Sequence, residues 1–283
     1  MADLDLNLFN LIAIAFIGLL GGMLGGLLGV GGSVVMLPGL VMLFGQAVRL
    51  NLNQHVYQAA AMIANIAVSV PAAHRHFKAG AVTFEAVRWI LPVAAVFVVF
   101  GVLLSNLFKG VNGAIWLGGV LALLLVYVTM VNIRRLSSAA QKSEDAAEAR
   151  ITPVRCISVG IIMGLVAGLT GVGGGAVAVP LQQVLLRLPL KACIANSSTI
   201  ICLSAIVGSI FKNVTLGELG YDVRVSLVLA LLLAPTCWIG GYLGALLTHK
   251  LPTRQVRLAF ILLMFVSIWR MIVPVVEMMQ RQG

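Results

Sequence analysis

The chain consists mostly of long apolar runs separated by short polar segments, a pattern typical of helices that cross a membrane. The runs of the first half are Leu8–Leu28, Val34–Phe44, Val56–Ala73, Trp89–Phe108 and Gly113–Ile133. Those of the second half are Cys156–Thr170, Ala176–Leu186, Ala192–Ile210, Val225–Leu247 and Val256–Val276. Because a span needs about 18 residues at about 1.5 Å each, Val34–Phe44 and Ala176–Leu186 are predicted to be short or broken helices.

Composition strengthens the membrane interpretation. Of the 283 residues, 60% are hydrophobic and 10% are charged, and the mean hydropathy is +1.06, which excludes a soluble globule and a disordered chain. Four cysteines are too few for a disulfide scaffold. We therefore predict an all-α polytopic membrane protein. No positively charged segment precedes the first run, so we expect this run to be retained in a multi-pass protein of the bacterial inner membrane.

The net charge of +10 comes from short basic clusters at the ends of the apolar runs. This distribution follows the positive-inside rule and argues against a nucleic-acid partner, which would need one continuous basic face. The long polar stretch at 136–153 predicts a cytoplasmic linker between a first transmembrane repeat at 1–135 and a second at 154–283. The resulting alternation places Lys78 inside and Lys212 outside.

The two halves share a glycine-rich motif. Residues 22–38 align without gaps on residues 164–180, and nine of the 17 pairs are identical, including Gly-Val-Gly-Gly and the final proline. Weaker matches follow in the same order, among them Phe77-Lys78 with Phe211-Lys212. Because five segments per half is an odd number, the second copy is predicted to be inverted relative to the first. If the short segments instead re-enter the membrane, each half crosses four times and both termini lie inside.

Glycines interrupt a helix at residues 29–33 and again at residues 171–175. Backbone freed in this way must line a cavity or be buried in protein. Short helices that begin there would direct N–H groups and positive dipole ends into the cavity, which suits a small anion. The substrate site is therefore predicted at the two breaks, with the following backbone and hydroxyl donors: Gly29, Gly31, Gly32, Ser33, Thr170, Gly171, Gly173, Gly174 and Gly175.

A second set of glycines recurs at every fourth position before each break. This small-xxx-small spacing favours close packing of helices over a binding role. The set comprises Gly18, Gly22, Gly26, Gly160, Gly164 and Gly168.

Polar side chains inside the spans are further candidates for the substrate site, because unpaired polar groups are costly in a membrane. They are Asn65 in the first half and Asn196, Ser197 and Thr199 in the second. Hydrogen bonds between helices and the lining of a substrate path both fit these residues, and the sequence leaves the two open. The basic cluster at 74–78 fits the positive-inside rule better than a proton sensor.

The sequence contains no catalytic constellation, no metal-ligand spacing and no cofactor motif. We therefore expect a protein that is not an enzyme and that uses no catalytic residues, no metal and no cofactor. Without an ATP-binding motif, transport would be driven by an ion gradient or by the gradient of the substrate itself.

The duplicated motif, Gly-x-x-x-Gly-Leu-x-Gly-Val-Gly-Gly-Gly/Ser-x-x-x-x-Pro, resembles that of the TauE/SafE sulfite exporter family of permeases. In each copy a span that ends near a basic turn, such as residues 74–80, follows the motif. The resemblance implies export of sulfite, sulfonates or related small sulfur-containing anions. An anion channel or a carrier of another small metabolite is the alternative. The expected partners are a small anionic substrate and the lipid bilayer, with a proton or sodium coupling ion and a homodimer left open.

Overall fold

The structure is a computed structural model that describes residues 7–44, 54–107, 126–127, 129–134, 136, 148–171, 173–218 and 220–282. These residues form helices and connecting turns, without strands. The helices are α1 (Leu8–Leu28), α2 (Ser33–Phe44), α3 (Gln54–Lys78), α4 (Phe84–Leu107), α5 (Pro153–Thr170), α6 (Gly175–Leu181), α7 (Leu190–Glu218), α8 (Val223–Lys250) and α9 (Thr253–Gln282). A π-helical turn at Gln182–Leu186 continues α6, and residues 129–134 are also helical.

Six helices of the described part are long and apolar enough to cross a membrane, namely α1, α3, α4, α5, α7 and α8. The segments Ser33–Phe44 and Gly175–Leu186 are apolar but too short, as their run lengths predicted. The prediction of an all-α multi-pass membrane protein is thus confirmed for the residues that the structure describes. Most of the run Gly113–Ile133 and the middle of the predicted linker, residues 137–147, lie outside those residues.

Both helices that lead into the glycine motifs end on a glycine in the left-handed conformation. Gly29 has φ 64° and donates its N–H to the carbonyl of Gly25, while Gly171 has φ 69° and donates to that of Ala167. A side chain disfavours this conformation, so glycine at this position ends the helix and turns the chain. The two apolar runs therefore stop where the sequence places their glycines.

Several of the described helices extend beyond the apolar runs that predicted them, α3 and α7 among them. α3 continues past Ala73 to Lys78, and α7 continues past Ile210 to Glu218. A helix keeps its own hydrogen bonds through polar residues when neighbouring helices supply partners for the side chains. As a result Lys212 lies within α7 and is buried, with 1% of its surface exposed.

Glycine contacts hold helices from opposite halves together. α1 packs along α8, and α4 packs along α5. A Cβ atom on Gly22 would lie 2.6 Å from the carbonyl oxygen of Cys237, and one on Gly164 would lie 2.6 Å from that of Ala94. Gly26 and Gly241 are in backbone contact in the same way. The glycines spaced four residues apart thus allow the helix backbones to touch, which is the packing role.

α3 and α7 occupy the centre of the described bundle. They pack against each other, and α3 also packs on α8 while α7 packs on α4. They are also the most buried of the six candidate spans. The pairs α1–α8 and α4–α5 therefore flank a central pair, and each flanking pair combines one helix from each half of the chain.

Candidate substrate site

The two glycine breaks touch each other in the interior. Gly175, the first residue of α6, lies directly against Gly29 and Val30. A Cβ atom on Gly175 would lie 2.5 Å from the Cα atom of Val30 and would overlap the carbonyl oxygen of Gly29. Since glycine lacks this atom, the backbone of the second break can rest on the backbone of the first.

The first break is held by Asn65 of α3. Gly29 and Gly31 take positive φ values of 64° and 80°, and α2 then begins at Ser33. The side chain of Asn65 accepts from the N–H of Ser33 at 3.0 Å and donates to its hydroxyl oxygen at 2.8 Å. Both residues are 0% exposed. A long-range amide therefore caps α2 where a local side chain usually would.

The second break is built from three glycines with positive φ. Gly171, Gly173 and Gly174 have φ values of 69°, 83° and 70°, and Gly174 is the N-cap of α6 without a side-chain cap. A Cβ atom on Gly173 would lie 2.9 Å from Nδ2 of Asn65. Asn65 thus contacts Ser33 of one break and approaches Gly173 of the other.

α7 also reaches the first break. The hydroxyl of Ser197 donates to the carbonyl oxygen of Gly29 at 2.6 Å, and Gly29 packs against the backbone of Ile194. The carbonyl at the end of α1, which the helix itself leaves unpaired, is satisfied in this way. Ser197 therefore joins Ser33 and Asn65 around the point where the breaks meet.

The remaining polar candidates are occupied elsewhere. Asn196 donates to Oε1 of Gln182 at 3.0 Å and accepts from the N–H of Thr83 at 2.7 Å, so it joins α7 to the π-helical turn and to the start of α4. Thr170 and Thr199 donate to carbonyls of their own helices at 2.7 and 2.9 Å. The structure thus brings Ser33, Asn65 and Ser197 to the breaks. Asn196, Thr170 and Thr199 instead form hydrogen bonds within or between the surrounding helices.

Residues 29–33 and 173–175 are all buried. The described backbone of both breaks is thus covered in this conformation, with contacts from α1, α2, α3, α5 and α7. A ligand can reach it only if the packed helices move apart.

The sequence matches the family model of the sulfite exporter TauE/SafE over residues 14–271, nearly the whole chain. The chain belongs to this family. The resemblance drawn from the duplicated glycine motif is confirmed by that match.

Curated relatives carry transporter names rather than enzyme names. MamO of Magnetospirillum gryphiswaldense, a probable membrane transporter protein, is 25% identical over 89% of this chain and 43% of its own length. YunE of Bacillus subtilis, with the same description, is 25% identical over 87% of this chain and 92% of its own. A probable membrane transporter protein of Haemophilus influenzae is 27% identical over 88% and 93%. This chain thus spans less than half the length of MamO. No solved structure matches this chain.

This TauE/SafE protein also contains a buried basic cluster that the sequence pattern did not predict. Nζ of Lys212 lies 2.9 Å from Nδ1 of His55 and 3.1 Å from Oγ of Ser105. The cluster joins the start of α3, the end of α4 and the end of α7. Lys212 stands just beyond an apolar run, so hydropathy alone assigned it to the membrane surface. The alignment of Lys212 with Lys78 does not indicate burial either, because Lys78 is exposed.

A second basic cluster lies at the opposite end of α3. Nδ1 of His76, which is 0% exposed, lies 2.9 Å from Nε2 of His249 at the end of α8. Lys191 is close by, since its Nζ donates to the carbonyl of Leu251 at 3.0 Å. For residues 74–78 the sequence pattern favoured a positive-inside span end over a proton sensor. His249, the partner of His76 in α8, lies 173 positions away along the chain, so a local sequence pattern could not predict this contact.

Proposed function

We propose that this protein is a secondary transporter that exports small sulfur-containing anions, such as sulfite or organosulfonates, by alternating access. In this proposal residues 1–135 and 154–283 are inverted repeats, and the substrate binds between their glycine breaks. Family membership and the names of the relatives support transport across a membrane. The description of the family supports sulfite as the first anion to test.

The contact between Gly175 and the first break is the observation that carries the proposal. α2 begins at Ser33 and α6 begins at Gly175, so both helices start where the breaks meet. The N-terminal ends of two helices, which carry the positive ends of their dipoles, therefore lie close together in the interior. In surroundings from which water is excluded, such helix ends favour a small anion over a neutral or cationic solute.

The helix pairs α1–α8 and α4–α5 provide the moving units of this mechanism. Backbone contacts at glycines, such as those of Gly22 and Gly164, keep each pair closely packed. The breaks lie between the two pairs, beside α3 and α7, and are buried. Separation of the pairs on one side of the membrane, followed by the other, would open the breaks alternately without unfolding either pair.

We expect liposomes containing the purified protein to carry sulfite and methanesulfonate at rates that saturate with concentration, because a carrier is limited by a binding site. The assay measures flux of labelled sulfite, sulfate, thiosulfate and methanesulfonate, with and without proton and sodium gradients. Accumulation of label against unlabelled substrate on the far side distinguishes a carrier from a channel. Comparison of inside-out with right-side-out bacterial membrane vesicles tests export.

Gly174→Val is the inactive comparison for this assay. Gly174 has φ 70°, and a Cβ atom there would lie 2.5 Å from the carbonyl oxygen of Met163, so valine cannot be accommodated without movement of backbone. Empty liposomes give the background. The proposal is wrong if none of these oxyanions crosses, or if Gly174→Val carries them at the native rate at equal folded yield.

A further inference from the structure

The helices of the described bundle divide into two groups that meet between α3 and α7. In the first group α3 packs on α8, which packs along α1, and in the second α7 packs on α4, which packs along α5. The 2.9 Å contact between His76 and His249 joins the ends of α3 and α8 within the first group. The proposed transport separates the groups on one side at a time, so contacts of α7 with the first group must break where that side opens.

α7 carries a lysine near each of its ends. Lys191 is the second residue of the helix, and Lys212 lies 21 positions further on, which is about 32 Å of helix. This length matches a hydrocarbon core of roughly 30 Å. Ser197, whose hydroxyl meets the carbonyl oxygen of Gly29 at the breaks, lies between the two lysines. The lysines are therefore on opposite sides of the candidate substrate site, towards opposite faces of the membrane.

Lys212 joins α7 to the start of α3. Its Nζ lies 2.9 Å from Nδ1 of His55 and 3.1 Å from Oγ of Ser105, and its side chain is 1% exposed. Ser105 belongs to α4, in the same group as α7, whereas His55 belongs to the first group. Because a buried ammonium group needs hydrogen-bond acceptors, loss of the contact with His55 is costly unless water replaces it. The contact therefore holds the two groups together at this end of α7.

Lys191 joins α7 to the end of α8. Its Nζ donates to the carbonyl oxygen of Leu251 at 3.0 Å. Leu251 is the C-cap of α8, and the carbonyl groups at the end of a helix carry the negative end of its dipole, which attracts a cation. Lys191 therefore holds the first group at the opposite end of α7 from Lys212.

We propose that Lys212 and Lys191 are the two gates of the transport path. Both contacts are formed in the structure, which agrees with the burial of the breaks. Release of Lys212 from His55 opens one side of the path while Lys191 stays bound. Release of Lys191 from Leu251 opens the other side while Lys212 stays bound. The positive-inside rule assigns Lys212 to the exterior and Lys191 to the cytoplasm, and the inference rests on the proposed function, since alternating access needs two gates.

Access to the breaks from each side is measured with a single thiol. Ser197→Cys places this thiol where the hydroxyl now meets Gly29, in a protein whose four native cysteines are replaced by alanine. A membrane-impermeant thiol reagent is added to right-side-out and to inside-out membrane vesicles, and the rate of modification is measured in both. The same protein without Ser197→Cys gives the background rate. The protein with the thiol and both native lysines is the parent for all comparisons.

We expect Lys212→Gln to raise the rate from the exterior by about tenfold or more, the shift of a two-state equilibrium that loses a hydrogen bond to a charged group. Lys191→Gln should raise the rate from the cytoplasmic side by a similar factor. Lys191→Arg keeps the cation and should stay within about threefold of the parent. An unchanged rate in either folded glutamine variant, or a rise from the other side, would overturn the proposal.

Two exposed cations provide matched controls for net charge. Lys250 ends α8 beside Leu251, and Arg224 lies at the start of α8, on the side assigned to the exterior. Lys250→Gln removes a charge on the side of Lys191. Arg224→Gln removes one on the side of Lys212. Both controls should be modified at the rate of the parent, so an effect of charge on the reagent alone would appear in them as well.

His55→Ala keeps the test decisive if Lys212→Gln does not fold. This variant removes the acceptor on α3 and leaves the ammonium group beside Ser105, so it should raise modification from the exterior by about threefold or more. An unchanged exterior rate in the folded His55→Ala protein would also overturn the proposal.

Flux assays on the same vesicles separate this inference from the proposed function. Sulfite flux by the native protein, with unchanged modification rates in Lys212→Gln and Lys191→Gln, would contradict the gates and leave the proposed function intact. Conversely, rates that rise from opposite sides in the two variants of a protein that carries no sulfur oxyanion would retain the gates and contradict the proposed substrates.

Discussion

Gly175→Ala is expected to reduce sulfite flux by roughly tenfold or more. The new Cβ atom would overlap the carbonyl oxygen of Gly29 and lie 2.5 Å from the Cα atom of Val30. Both atoms belong to backbone, so neither can move aside as a flexible side chain would. The contact between the breaks would open, at a cost of about 1–3 kcal/mol in the free energy of unfolding.

The control for this substitution is Gly217→Ala. Gly217 lies near the end of α7, and the nearest atom to its Cβ position is Cγ2 of Val223 at 3.8 Å, an ordinary contact. Alanine favours a helix more than glycine does, so the control should keep native flux and native stability. Flux is measured in liposomes at equal folded yield, and stability by thermal unfolding in detergent. Native flux in a folded Gly175→Ala protein would mean that the contact between the breaks is dispensable.

Asn65→Ala should lower the free energy of unfolding by about 2–4 kcal/mol, because it leaves the N–H and the hydroxyl of Ser33 buried without their present partner. The same change removes the amide that approaches Gly173 of the second break, so we also expect loss of flux beyond the loss of folded protein. Denaturant unfolding in detergent measures the first effect. Liposome flux, normalised to folded protein, measures the second.

Thr199→Val is the matched comparison for Asn65→Ala. Thr199 stands 134 residues after Asn65, the offset that relates Phe77-Lys78 to Phe211-Lys212. Its hydroxyl donates within its own helix, to the carbonyl of Ala195, so its loss should cost less than about 1 kcal/mol. A double-mutant cycle with Ser33→Ala isolates the coupling between Ser33 and Asn65. Additive effects in that cycle, or equal costs for Asn65→Ala and Thr199→Val, would contradict this role of Asn65.

Much of the fold could be predicted from residues that lie close together along the chain. The apolar run Leu8–Leu28 has the bounds of α1, and Val34–Phe44 differs from α2 by one residue. Gly29 and Gly171 end their helices because glycine adopts the left-handed conformation without strain. The duplicated motif also identified the family. The ends of α3 and α7 escaped prediction, since the polar residues there depend on other helices for partners.

The sequence predicted only part of the candidate site. The glycine positions and the polar residues Ser33, Asn65 and Ser197 were identified as candidates by type, but their partners could not be named. Asn196 has the same side chain as Asn65, yet it binds Gln182 and Thr83. Hydropathy also assigned Lys212 to a surface, although it is buried between His55 and Ser105. The type of a residue determines which hydrogen bonds it can form, but the helices packed around it determine which partner it meets.

By itself the sequence determined that this is a helical membrane protein with two broken helices, because hydropathy and glycine conformation act between residues a few positions apart. Only the tertiary structure decided that the second break rests on the first, and that Lys212 meets His55, which is 157 positions away. Such contacts arise where helices pack closely enough for backbones to touch. That closeness depends on the shapes of both surfaces at once, so neither segment of the sequence specifies it alone.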